Sequence, residues 1–229
     1  EGPYTILTPR KDGNALILTI TRIASFNSFA YALTYSDKQG IDRGAGNEES
    51  WNEIKDKKSD YEQEILFGTC SKNICKYDEG VENGTLILRI RKGRQPYRML
   101  SQWHLQRADL ALGQLGSGDG HFQYKIEAKR EELALVGFTI INDLTGVPKL
   151  PENKEVFGKV YSLNVQLAKK LMAGQVIIEL AENPPTDAKI ARFNVSQNKW
   201  EELETKIAGS TLSAKGDGAG IFAVLVNKK

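Results

Sequence analysis

Apolar residues recur at every second position in short runs along this chain, and no run of the first half keeps them at helical spacing for long. Ala15 to Ile23 puts Leu16, Leu18 and Ile20 on one side and Ile17, Thr19 and Thr21 on the other. Ser28 to Asp37 sets Phe29, Tyr31, Leu33 and Tyr35 against Ala30, Ala32 and Thr34. Successive side chains of a strand point to opposite faces, so period two predicts strands with one face on a core. Thr5 to Leu7, Tyr61 to Gly68, Thr85 to Lys92 and Pro96 to Leu105 complete the set, separated by Gly, Asn and Asp clusters that favour turns.

The second half repeats this grammar. His121 to Arg130 directs Phe122, Tyr124 and Ile126 inward, and Ala134 to Ile141 is apolar enough for a buried strand. Glu155 to Leu163, Gln175 to Ala181, Lys189 to Val195, the run from Lys199, the run from Ser210 and Gly220 to Val226 also read as strands. Val165 to Met172 leaves room for one or two helical turns. Between the halves, Gly113 to Gly120 holds four glycines in eight residues, with no GxGxxG or GxxxxGK[ST] and a strand-like segment after it. This reads as a hinge. The expectation is an all-β chain of two consecutive sandwich domains, residues 1–107 and 121–229, with a Gly-rich linker at 108–120.

One stretch breaks the regular spacing. Lys38 to Asp60 is polar, with Ile41, Trp51 and Ile54 as its only large apolar residues. A connection of that length is functional or mobile as a rule, and its middle suits a short helix or an extra edge strand. Trp51 has two readings: an aromatic tucked onto the sandwich, or an exposed contact for a partner or sugar.

Composition narrows the class. The 229 residues are 40% hydrophobic and 26% charged, ordinary for a folded globular chain. The 31 basic and 29 acidic residues leave a net charge of +2, too even to imply nucleic acid or an anionic membrane as partner. No apolar run approaches the ~20 residues of a transmembrane helix. The opening EGPYTILTPRK lacks a signal-peptide layout, so an exported chain is expected to have shed its targeting segment.

Cys70 and Cys75 are the two cysteines, with four residues between them and a Ser-Lys-Asn turn. A bridge needs Cα atoms within about 7 Å, which such a turn allows, so a small disulfide loop is expected, and with it a compartment outside the reducing cytosol. Two reduced thiols are the alternative. The C-x4-C spacing without a βαβ pattern disfavours a redox pair, and two widely spaced histidines, His104 and His121, disfavour structural zinc.

About seven short strands per half, with turn signals every ten or so residues, resemble an immunoglobulin or fibronectin type III sandwich. Residues 189 to 226 are similar to the closing strands of Ig-like modules of bacterial surface proteins, with a hairpin bearing Trp200 before the Gly-aromatic-Ala-Val strand from Gly220 to Val224. The resemblance fixes no catalytic residue. It implies adhesion, spacing or assembly outside the cell.

Catalytic chemistry is not legible. No G-x-S-x-G accompanies the histidines, and the isolated Asp-Gly pairs at Asp12, Asp119 and Asp217 read as turns, not calcium loops. Arg89 to Arg94 reads as a solvated, protected strand face, or else as a site for an anionic polymer. No enzyme, cofactor or metal is expected. The expected function is a structural or assembly subunit of a surface layer, filament or stalk, bound to copies of itself or another surface protein. The alternative is a binding module that recognises glycan or a protein surface through loop aromatics such as Trp51. For assembly, the free N-terminal segment of Gly2, Pro3, Tyr4, Thr5, Ile6, Leu7 and Thr8 is the candidate donated strand.

Overall fold

The computed structural model describes residues 2–55, 58–72, 74–107, 113–126, 132, 137–144, 146–166 and 171–228. The fold is all-β. Twenty-one strands among the described residues, β1 to β21 in chain order, form four antiparallel sheets. A three-stranded sheet runs β1 (Tyr4–Pro9), β2 (Ala15–Thr21), β6 (Tyr61–Leu66). The long sheet runs β18 (Lys199–Glu202), β17 (Lys189–Asn194), β21 (Gly220–Asn227), β15 (Tyr161–Val165), β13 (Gly137–Asn142), β10 (Gln95–Arg107), β9 (Asn83–Lys92), β3 (Ser28–Ser36), β4 (Asp42–Gly46). Beside it, β14 (Lys154–Val156) pairs with β21 and β5 (Asn52–Glu53) with β3. A five-stranded sheet runs β11 (Gln114–Gly116), β12 (Phe122–Ile126), β16 (Gly174–Glu179), β20 (Thr211–Gly216), β19 (Thr205–Ala208), and β7 (Gly68–Ser71) and β8 (Ile74–Tyr77) make a separate hairpin.

The period-two segments fold as their patterns predict. Leu16, Leu18 and Ile20 are fully buried beneath β2, with Phe29 and Leu33 opposite on β3. Phe122, Tyr124 and Ile126 enter a second core. The polar insertion contributes β4 and β5 as extra edge strands. The expected Glu155 to Leu163 strand is broken into β14 and β15.

The sheet pairing crosses the expected domain boundary. β10 pairs with β13 from Gln102 opposite Asn142 to Arg107 opposite Gly137, so strands of both halves lie in one sheet. The cores are divided by face instead of by half. On β21, Ile221, Ala223 and Leu225 join Leu18 and Leu88 in one cluster, while Phe222, Val224 and Val226 join Tyr124 and Ile178 in the other. Here the long sheet is the middle of three β layers. This explains why Gly220 to Val226 is uniformly apolar: a strand buried on both faces has no polar side to alternate with.

Two further expectations are corrected. Gly113 to Gly120 is no hinge: Leu115 pairs with Tyr124 in a β11–β12 hairpin whose turn holds Gly118 and Gly120. Residues 108–112 of the expected linker and 167–170 of the expected helical turns lie outside the described residues. Nor is the N-terminal segment free. β1 is paired along β2 from Tyr4 to Pro9, Leu7 is fully buried, and the Thr139 hydroxyl of β13 donates to the Leu7 carbonyl. Asn164 of β15 in turn donates to Thr139 Oγ1 at 3.4 Å. A buried carbonyl on an outer strand needs such a partner, and the polar residues of the long sheet supply it.

Among the described residues no helix is long and apolar enough to cross a membrane.

Candidate recognition site at the open sheet end

β4 closes one end of the long sheet and, among the described residues, pairs only with β3. The Asp37–Ile41 turn sets its register: Asp37 N donates to Ile41 O at 3.1 Å, and Asp37 Oδ1 accepts from the amides of Gln39 and Ile41, both at 2.9 Å. Bonded and non-bonded pairs alternate along an antiparallel ladder. From that turn the bonded pairs are Tyr35–Arg43 and Leu33–Ala45, so the amides and carbonyls of Asp42 and Gly44 point outward, while Gly46, at φ 79°, leaves the extended geometry.

A groove lies on each side of this edge. The first, about 730 Å³, is lined by Thr34, Ser36, Asp42, Asn83, Thr85, Gln102 and Asn142, with the backbones of Gly44, Gly84 and Gly118. By the two-residue period it opens on the side of the long sheet that carries Phe138 and Ile140, where the five-stranded sheet stops covering it. Asn142 Nδ2 donates to Gln102 Oε1 at 3.3 Å, and Ser36 Oγ to Asp42 Oδ1 at 2.8 Å. Such hydroxyls, amides and a carboxylate supply both donors and acceptors.

The rim beside Asn83, His104 and Asn142 is the turn at Gly118. Asp119 holds that turn, accepting from Ser117 Oγ at 2.5 Å, the His121 amide at 3.2 Å and Lys159 Nζ at 3.0 Å. Burial alone would raise its pKa, but these donors outweigh it and leave the carboxyl below the usual carboxylate range. His104 Nδ1 is 2.7 Å from Asn83 Oδ1, and burial lowers its pKa.

The second groove, about 570 Å³, separates β4 from β6 and is lined by Tyr31, Tyr35, Arg43, Glu64, Lys76 and Asp78 among others. Tyr35 donates to Asp78 Oδ2 at 2.9 Å and accepts from the Gly68 amide at 3.2 Å. Burial, with that carboxylate as neighbour, pushes the phenol up to about 12. Arg43 reaches Asp37 at 3.6 Å and Asp78 at 3.8 Å. The β7–β8 hairpin flanks this groove, with Cys70 directly opposite Cys75 and the two sulfurs bonded.

Trp51 lies on the same sheet, away from both grooves. It is half-buried, with the guanidinium carbons of Arg91 and Arg89 at 4.1 and 5.1 Å from its ring centre. Glu48 and Glu49 of the same loop pair with Arg98 and Arg89. The candidates from sequence therefore do not converge: the hairpin of Cys70 and Cys75 reaches the second groove through Thr69 and Lys76, Trp51 stands apart, and residues 4–8 are paired in β1 with Tyr4 and Leu7 in a core. Asn83, Gln102 and Asn142 were not legible, because an amide on a strand reads as solvated surface until the pairing register joins it to others.

Among the described residues no group of three or more His, Cys, Asp or Glu is placed to hold a metal ion. The chemistry on offer is hydrogen bonding to a polar ligand in the grooves and backbone pairing at β4. Compared with known proteins, the chain matches no family model, no curated protein and no solved structure.

Proposed function

We propose that this chain is an exported, non-enzymatic cell-surface protein that works by assembly, as a subunit of a layer, filament or stalk. The observation that carries the reading is the outer edge of β4, unpaired among the described residues and flanked by a groove on each side. A free edge is a template for another strand, and grooves on its two sides receive that strand's alternating side chains. The disulfide supports an oxidising compartment, and the similarity of residues 189 to 226 to Ig-like surface modules supports the cell surface. The donated strand is not residues 2–8, which the chain uses in its own core. Electron microscopy of native material tests the reading: ordered filaments or lattices are expected, and dispersed monomers at every concentration reject it.

A glycan-binding module is the second reading, favoured by the hydrogen-bonding lining of the larger groove. It predicts a glycan-array signal that Gln102→Ala abolishes and Trp51→Ala leaves in place. Loss with Trp51→Ala alone would return the site to the loop.

A further inference from the structure

Natural edge strands are defended by charge, proline or bulges. β6 has Glu62 and Glu64, β18 is Lys-Trp-Glu-Glu, and β19 carries Lys206. β4 reads Asp-Arg-Gly-Ala-Gly: it is charged at Asp42 and Arg43 like the other edges, but its last three residues are small and leave the backbone there approachable. Its Asp42–Gly46 side chains are mostly exposed.

We infer that β4 pairs with β4 of a second copy of this chain, antiparallel about a two-fold axis at Gly44. This rests on the assembly reading and names the partner at this edge; a two-fold contact closes at a dimer, so growth into a layer or filament uses a second surface of the chain. The register follows from the outward groups. Asp42 and Gly44 offer outward amides and carbonyls, and an axis at Gly44 joins Gly44 to Gly44 in a bonded pair and sets Asp42 of each copy opposite Gly46 of the other, where the strand ends. Arg43 of each copy then stands opposite Ala45 of the other. No like charges oppose one another directly, which a shift of the axis to Arg43 would cause. Ala45 lines the groove that also holds Glu64 and Asp78, which pair with Arg10 and with this copy's own Arg43, so the incoming Arg43 enters a groove that already carries carboxylates. The strand is self-complementary in hydrogen bonds, in size and in charge, as a two-fold interface requires. A five-residue edge buries less than the roughly 1,200 Å² of a stable complex, so the pairing is weak and concentration-dependent.

The test uses the full chain. Arg43→Cys and Ala45→Cys variants are oxidised separately and mixed. Directly opposite residues at a non-bonded position have Cα atoms about 4.5 Å apart, and diagonal ones about 7–8 Å, at the limit of a disulfide. The mixture is expected to cross-link at least ten-fold faster than either variant alone. Gly44→Pro removes an outward amide and is expected to return the sedimenting species to monomer mass, with the circular dichroism melt confirming that the variant is folded. Equal cross-linking in all three samples, or a folded Gly44→Pro chain that still associates, overturns the β4 register while leaving assembly standing. A parent chain that is monomeric at millimolar concentration and forms no cross-link in the mixture overturns both.

Discussion

Gly84 and Trp103 face each other across β9 and β10, and the indole occupies the space that a side chain on Gly84 would need. A Cβ at Gly84 would lie 2.4 Å from Cζ2 of Trp103 and 2.0 Å from the carbonyl oxygen of Thr34. Trp103 stacks on Phe67 with ring centres 6.0 Å apart and planes 13° apart, tying β10 to the segment before the disulfide hairpin.

Gly84→Ala is therefore expected to destabilise by about 1–3 kcal/mol through overpacking, since the carbonyl cannot yield. Trp103→Ala removes the packing itself and is expected to cost about 3–5 kcal/mol. Urea unfolding followed by fluorescence checks the alanine at 84, and circular dichroism serves for the other. A neutral Gly84→Ala would mean that β9 and β10 sit further apart than described.

Leu7 is fully buried and its carbonyl is held by Thr139, so β1 belongs to the fold. Leu7→Ala should lower stability by about 2–5 kcal/mol, and removal of residues 2–9 should abolish the cooperative thermal transition. A truncated chain that melts like the parent would show that β1 is dispensable.

The period-two signal revealed the strands whose faces differ. Leu16, Leu18 and Ile20 against Ile17, Thr19 and Thr21 is a pattern that burial on one side imposes, and β2 has that environment. What could not be read was which strands share a sheet. Gln102 and Asn142 are 40 residues apart, and nothing local in either run states that β10 and β13 pair. A glycine cluster looks alike whether it swivels or turns a hairpin, so the Gly113 to Gly120 segment suggested a boundary where the chain only reverses. Edge and interior strands are also alike in sequence, and the open edge at β4 was hidden inside an insertion with little apolar content.

Asp119 gives a pH test. Its folded pKa is depressed, so its stabilisation is present above the unfolded value near 3.9 and is lost as pH falls through the lower folded value. Asp119→Asn should cost about 1 kcal/mol at pH 7, the figure reduced for partial exposure. The gap between variant and parent should close as pH falls below about 4. Thermal melts across pH 2–7 measure it, and a gap that stays constant would mean the carboxylate charge does not hold the turn.

Cys70 and Cys75 close a loop of four intervening residues in an exposed hairpin. Alkylation without reductant is expected to add no mass to protein from its native source. Reduction should loosen the hairpin by about 2 kcal/mol, from loop closure, and shift the global melt little, because the core lies beyond Phe67. Hydrogen exchange confined to β7 and β8 after reduction is the expected signature, and exchange spreading into β6 would contradict it.

The position of β21 governs the order in which the molecule can form. It is the last of these strands in sequence, yet it lies inside the long sheet between β15 and β17 and contributes alternate side chains to both cores. A chain emerging residue by residue holds neither core closed until Gly220 to Asn227 has arrived. The edges of β15 and β17 that β21 covers stay open until then. Completion is then a single long-range insertion, the slow kind of event in β topologies, and it is the interval in which such a chain is most exposed to aggregation and most in need of a holding chaperone.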